Sequence, residues 1–132
     1  MQKISIHYID IKSRIQNAGK IKAFVPIIFS KENYELQHTS FIFCSDEYLL
    51  QINKRFLQHN YYTDIITFPL HQKNAPVLGE IYISAERVKE NAKMYGSTIQ
   101  NEFLRIIFHG TLHLCGYIDN TKKHKQDRKS VV

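Results

Sequence analysis

Two histidines four residues apart, His109 and His113, stand in a run from Arg105 to Cys115 whose apolar pattern is helical. On a helix, positions four apart fall on one face a turn apart, so both imidazoles can reach a single point. That is the geometry of a chelate. A borderline cation such as Zn²⁺ takes neutral imidazole nitrogens at about 2.0–2.1 Å, with a third protein ligand where a position is left open for water. Gly116 ends the run and lets the chain fold back over its last turn, which makes Asp119 the nearest further ligand. The expected set is therefore His109, His113 and Asp119 around one Zn²⁺ per chain, at the end of the last long helix. Helical spacing puts Ile106 and Gly116 on the histidine face and turns Phe108, Thr111 and Cys115 elsewhere. The side of Phe108 and Leu112 is expected to be buried, and the histidine side to open into a cleft. Zinc peptidases use the same spacing in H-E-x-x-H, but Gly110 stands where their general-base glutamate belongs.

The elements that must position this helix are legible in outline. Lys3 to Ile9 alternates Ile4, Ile6 and Tyr8 against Lys3, Ser5 and His7, the period of a half-buried strand. From about Ile15 to Tyr34, Ile21, Phe24, Val25 and Ile28 recur at helical spacing, with Pro26 expected to kink the helix or mark its first turn. His38 to Cys44 reads as a strand that runs into a helix capped at Ser45, whose apolar stripe is Tyr48, Leu49, Ile52, Phe56 and Leu57. Asp64 to Phe68 and Leu78 to Ile83 are strands joined through a turn at Gln72 to Pro76. A helix opens near Ser84, and Gly96-Ser97 separates it from the histidine helix, capped by Ser97 or Thr98. The order βαβαββαα predicts a single small α+β domain, with helices packed on a small mixed sheet.

At 132 residues one core is expected. No apolar stretch approaches the roughly 20 residues of a membrane span, and no secretory signal opens the chain, so a cytoplasmic protein without a membrane partner is expected. Cys44 and Cys115 lack zinc-ribbon or knuckle spacing and read as buried, reduced thiols. A formal charge of +6 and a pI near 9.3 favour an anionic partner such as nucleic acid. Much of that excess lies at Lys122, Lys123, Lys125, Arg128 and Lys129. Residues 1–119 are thus read as the functional domain and 120–132 as a basic C-terminal tail that frays.

The stretch His109-Gly110-Thr111-Leu112-His113-Leu114-Cys115-Gly116-Tyr117 resembles the signature H-G-x-L-H-L-x-G-Y-D-H of the YbeY family of bacterial metal-dependent endoribonucleases. Without a gap, the last family histidine falls on Asp119 and the preceding aspartate on Ile118. Zinc accepts a carboxylate at about 2.0–2.2 Å, so Asp119 can replace an imidazole. Thr63-Asp64-Ile65-Ile66-Thr67-Phe68-Pro69 is similar to the family's T-D-V-L-S-F-P, and Leu78-Gly79-Glu80-Ile81-Tyr82-Ile83-Ser84 to its L-G-D-I-x-I-S. With Asn53, the likeness runs from about residue 40 to residue 119. An arginine that the family carries shortly after that asparagine, thought to meet RNA phosphates, falls here on Leu57; Lys54, Arg55 and His59 are the nearby replacements.

The resemblance implies a zinc-dependent, single-strand-specific endoribonuclease that matures the 3′ end of 16S ribosomal RNA and serves ribosome quality control. Its partners would be ribosomal RNA and the ribosome or ribosome-associated factors. An open zinc position would admit water, lower its pKa towards about 7 and polarise a phosphoryl oxygen. A non-catalytic ribosome-associated module with a structural metal is the alternative, and a zinc peptidase the remoter one. Asp64 and Glu80 read as structural carboxylates, and Ser84 as a helix cap, since no His-Asp relay stands beside it.

Overall fold

Period-two alternation sorts the centre of the molecule into two faces, as seen in a computed structural model that describes residues 3–117. The elements are β1 (Ile4–Ile9), α1 (Ala18–Lys31), β2 (Leu36–Cys44), α2 (Asp46–Leu57), β3 (Ile65–Pro69), β4 (Val77–Ser84), α3 (Ala85–Tyr95) and α4 (Ile99–Leu114). This is the expected βαβαββαα order. The strands lie in the order β1-β2-β4-β3, with β1, β2 and β4 parallel and β3 antiparallel to β4. Four helices on this four-stranded mixed sheet make a small α+β domain.

Phe41, Phe43, Ile65, Ile81 and Ile83 turn to one face, where they meet α1 through Ile21, Val25 and Phe29, α3 through Val88, and α4 through Phe103 and Ile107. Their neighbours Cys44 and Ile66 turn to the other face and meet Leu49 and Ile52 of α2. Three helices therefore cover one side and α2 the other. Local caps set where they begin: Tyr48 N–H donates to Ser45 Oγ, Arg87 N–H to Ser84 Oγ, and Asn101 N–H to Thr98 Oγ1. Both cysteines are buried free thiols, pushed up to about 12 at Cys44 and about 11 at Cys115, chiefly by burial. Among the described residues no helix is long and apolar enough to cross a membrane.

Helix α1 is shorter than the apolar spacing implied and carries Pro26 inside it. It starts after Asn17, whose left-handed φ of 61° ends the preceding loop without a side-chain cap.

Helix α4 is turned differently from expectation. Phe108 is 46 % exposed and Leu112 is half-buried, while Phe103, Ile106, Ile107, Gly110, Thr111 and Leu114 form the buried face. The cause is Gly110. A Cβ there would stand 2.8 Å from Ile65 Cδ1 and 3.1 Å from Ile81 Cγ2, so this glycine is the point of closest approach to the sheet. Phe108 and Leu112 each lie two residues from it, about 200° round the helix, and so must point away. One turn on, Leu114 seats over Gly79 of β4, where a Cβ would come within 2.9 Å of both its methyls.

Gly110→Ala is expected to destabilise the fold by roughly 1–2 kcal/mol, overpacking outweighing the gain in helix propensity. Gly19→Ala, where nothing lies within 4 Å, is expected to be neutral or stabilising. Denaturant midpoints of the two variants check the seat, and equal midpoints would contradict it.

Candidate metal centre and its surroundings

With Gly110 pressed to the sheet, His109 and His113 fall on the flank of α4, one turn apart and half-buried. Thr111, on the buried side, satisfies its hydroxyl within the helix by donating to Ile107 O at 2.8 Å. The helix then ends in a Schellman turn. Gly116 N–H donates to His113 O at 3.0 Å and Tyr117 N–H to Leu112 O at 3.2 Å, with Gly116 at φ 91°. The residue after the turn is tied down too, because Tyr117 Oη donates to Glu32 Oε1 at 2.6 Å. The helix thus ends at Gly116, where the sequence placed its end.

Asp119 and the tail 120–132 lie outside the described residues. Among the described residues no group of three or more His, Cys, Asp or Glu side chains is placed to hold a metal ion. What the structure brings together is the pair His109 and His113. Two imidazoles one helical turn apart, on a half-buried flank, are a donor set suited to zinc, and they call for at least one further ligand from elsewhere.

The proposed phosphate-binding cations belong to another layer. Lys54 and Arg55 are exposed on the last turn of α2, across the sheet from α4. His59 stacks on Tyr61 at 5.1 Å between ring centroids and bonds its Nδ1 to Tyr61 Oη at 2.9 Å. Leu57, at the position of the family arginine, packs against the apolar cluster of Cys44, Leu49, Ile52 and Ile66. Asn53 is fully buried and structural: its side-chain Nδ2 donates to Tyr61 O, and its backbone carbonyl accepts from His59 N–H. It fixes the loop leading to β3, the edge strand on which α4 rests.

Glu80 stands on β4, between β2 and β3, and accepts from Tyr82 Oη at 3.1 Å. Ser84 is the expected cap, and its hydroxyl also donates to Asp46 Oδ1 at 3.0 Å. Asp46 in turn is held by Arg87 at 2.6 Å. Asp64 is buried beneath α3 and α4 and accepts from Asn91 Nδ2 at 3.3 Å. Burial raises its pKa to about 6, against the opposing pull of Arg105. A second buried carboxylate, Glu102, was not singled out by sequence; Arg105 grips it at 2.6 and 3.1 Å. Its signal was available in the three-residue spacing of the pair along α4.

Because the folded pKa of Asp64 lies above the unfolded value, its contribution favours the fold below about pH 4 and is lost as pH rises through about 6. Asp64→Asn should therefore gain stability over the parent across that window, by roughly 1–3 kcal/mol at pH 7. Unfolding free energies between pH 4 and 7 test this, and parallel curves would refute it.

Comparison with known proteins follows the same lines. The family model described as Endoribonuclease YbeY matches residues 3–130. A protein of that name from Cytophaga hutchinsonii is 44 % identical over 117 residues, 89 % of this chain and 82 % of the relative. One from Amoebophilus asiaticus is 37 % identical and covers 98 % of this chain and 89 % of its own. The solution structure of a Thermotoga maritima protein superposes with a TM-score of 0.63 at 29 % identity, over 94 % of this chain and 84 % of that one.

Proposed function

The chain belongs to the endoribonuclease YbeY family, and from that premise we propose that it is a zinc-dependent, single-strand-specific endoribonuclease of ribosomal RNA. The observation that carries this reading is the pair His109 and His113 on one flank of α4, with Gly110 between them turned into the sheet. His109 and His113 would hold the ion, with Asp119 as the proposed third donor. Zinc held there supplies Lewis acidity towards a phosphoryl oxygen and towards water.

The protein's own part is to present and orient. The Gly110 contact sets the rotation of α4 and hence the direction of both imidazoles, and the Schellman turn ends the helix at Gly116, three residues beyond His113. Lys54, Arg55 and His59 are proposed to meet RNA phosphates, so that binding weakens as salt rises. The 3′ end of 16S ribosomal RNA is the proposed substrate, the ribosome or its associated factors the proposed partners, and the cytoplasm the proposed location.

The packing at residue 110 argues against a peptidase. A glutamate there would have to displace Ile65 and Ile81 before it could reach a water molecule. A non-catalytic module with a structural metal is separated from an enzyme only by activity.

Protein purified without added metal or chelator is expected to carry one zinc per chain by elemental analysis. It should cleave unstructured RNA oligomers in a chelator-sensitive manner and leave casein intact. His113→Ala should lose both zinc and cleavage, whereas Asp119→His should retain or tighten zinc. Zinc retention by Asp119→Ala at unchanged affinity would remove Asp119 from the ligand set, and bound zinc without RNA cleavage would favour the non-catalytic module.

A further inference from the structure

A pocket of about 210 Å³ opens at the carboxyl ends of β1 and β2, the edge at which parallel strands offer a crevice to ligands. Its floor is the half-buried Tyr8 and the edge of Phe103, which close over the fully buried Phe43. Tyr8 and Phe43 stack at 5.8 Å between centroids, and Phe103 meets Phe43 edge-on at 5.6 Å. Its mouth carries two exposed cations, Arg14 and Lys89, and two exposed amides, Gln16 and Gln100; among the described residues no acidic side chain lines it. Arg14 lies over the Tyr8 ring at 4.3 Å, and Lys89 reaches Ser13 Oγ at 3.3 Å, so both are drawn to the rim from opposite sides.

This site is separate from the histidine pair. His109 lies five residues beyond Leu104, about 7.5 Å along the axis, and His113 about 13.5 Å. Both point more than about 100° away from the mean direction of Ile99, Gln100, Phe103 and Leu104, the α4 residues that line the pocket.

We propose that this pocket binds a nucleoside monophosphate unit, with the base on the aromatic floor and the phosphate at the mouth between Arg14 and Lys89. Size selects the arrangement. A cavity near 150 Å³ takes one benzene, so this one holds a single base and leaves ribose and phosphate outside, where the cations stand. Since Phe43 is fully buried and Arg14 lies over the Tyr8 ring, a base meets the edges of Tyr8 and Phe103 and the plane of the guanidinium, contacts that rings also favour. The two glutamines can each donate and accept, which suits the mixed edge of a base better than an aliphatic acid. Ile99 and Leu104, 48 % and 37 % exposed at the lip, add apolar surface that a bound base would cover. The first turn of α4 faces the same mouth, and its positive dipole end favours the phosphate.

The unit can be a free nucleotide or the 5′-phosphorylated end of an RNA chain. Titration with AMP, adenosine, inorganic phosphate and benzoate, followed by calorimetry and by nuclear magnetic resonance, tests the site. AMP should bind and shift the Tyr8, Phe43 and Phe103 resonances; adenosine and benzoate should bind at least tenfold more weakly, and phosphate alone should not shift those rings. Arg14→Ala with Lys89→Ala should weaken AMP at least tenfold, and Gln100→Trp, which crowds the mouth without changing charge, should do the same. All three are exposed positions outside the histidine site, so the zinc content and the unfolding midpoint of these variants should match the parent's. His113→Ala should still bind AMP, which separates failure of this proposal from failure of the ribonuclease reading. Tighter binding of the dinucleotide pApA than of AMP assigns the site to RNA ends; equal or weaker binding assigns it to free nucleotide. No binding of AMP at millimolar concentration, equal binding of benzoate, or shifts centred on His109 and His113 would overturn the proposal.

Discussion

The close approach of α4 to the β3–β4 ladder is the constraint on which the rest of the site depends. Two glycines permit it, one from each layer: Gly110 lies against Ile65 and Ile81, and Gly79 lies under Leu114. Separated by four residues on α4, the two contacts fix both the height of the helix and its rotation. The histidines are therefore not placed by any preference of their own. They occupy the flank because residue 110 occupies the seat, and a shift of one residue in that seat would carry both imidazoles about 100° round the axis.

Where β2 and β4 end, capping organises the carboxyl edge of the sheet. Ser45 and Ser84 end neighbouring parallel strands and start α2 and α3, and each serine also donates to a carboxylate, Ser45 to Asp10 at 2.7 Å and Ser84 to Asp46 at 3.0 Å. Arg87 completes the second link through Asp46, and Glu86 accepts from the Asp46 amide at 2.7 Å. A buried serine hydroxyl thus both receives and gives a hydrogen bond, which leaves little unsatisfied polarity where two helices begin on adjacent strands. It also explains why Ser84, though fully buried beside a carboxylate, has the surroundings of a cap and not of a nucleophile.

Element order, strand positions and three of the four helix starts were legible in the sequence, because alternation and caps are local signals carried by the residues concerned. Ser45, Ser84 and Thr98 each accept the expected backbone N–H. The start of α1 was not legible, since Asn17 offers no side-chain cap and no acidic residue follows in the first turn. The buried side of α4 was misread for another reason. Phe108 and Leu112 weigh heavily in any count of apolar residues, while the residue that touches the sheet most closely has no side chain to count. The pattern to read was Gly110 flanked by Ile106, Ile107 and Leu114 at helical spacing. Of the candidate site, the histidine pair and the turn at Gly116 could be read because both follow from spacing along one helix. The layer occupied by Lys54 and Arg55 could not, because it depends on which face of the sheet α2 takes.

Rotation of α4 also reconciles two demands that conflict within one helix. Its first two turns must bury Phe103 against Phe43 and shelter the Glu102 carboxylate, 3 % exposed, beneath the fork of Arg105. Its last two carry His109 and His113 half-buried on the flank. A helix with one continuous apolar stripe would meet the first demand and bury the histidines as well. Placing glycine at the seat lets the histidine turns approach the sheet by backbone alone, so no bulky residue need fill the contact and the flanking positions stay at the surface. Exposure of Phe108 is the consequence, since the side opposite the seat must face outward whatever residue occupies it.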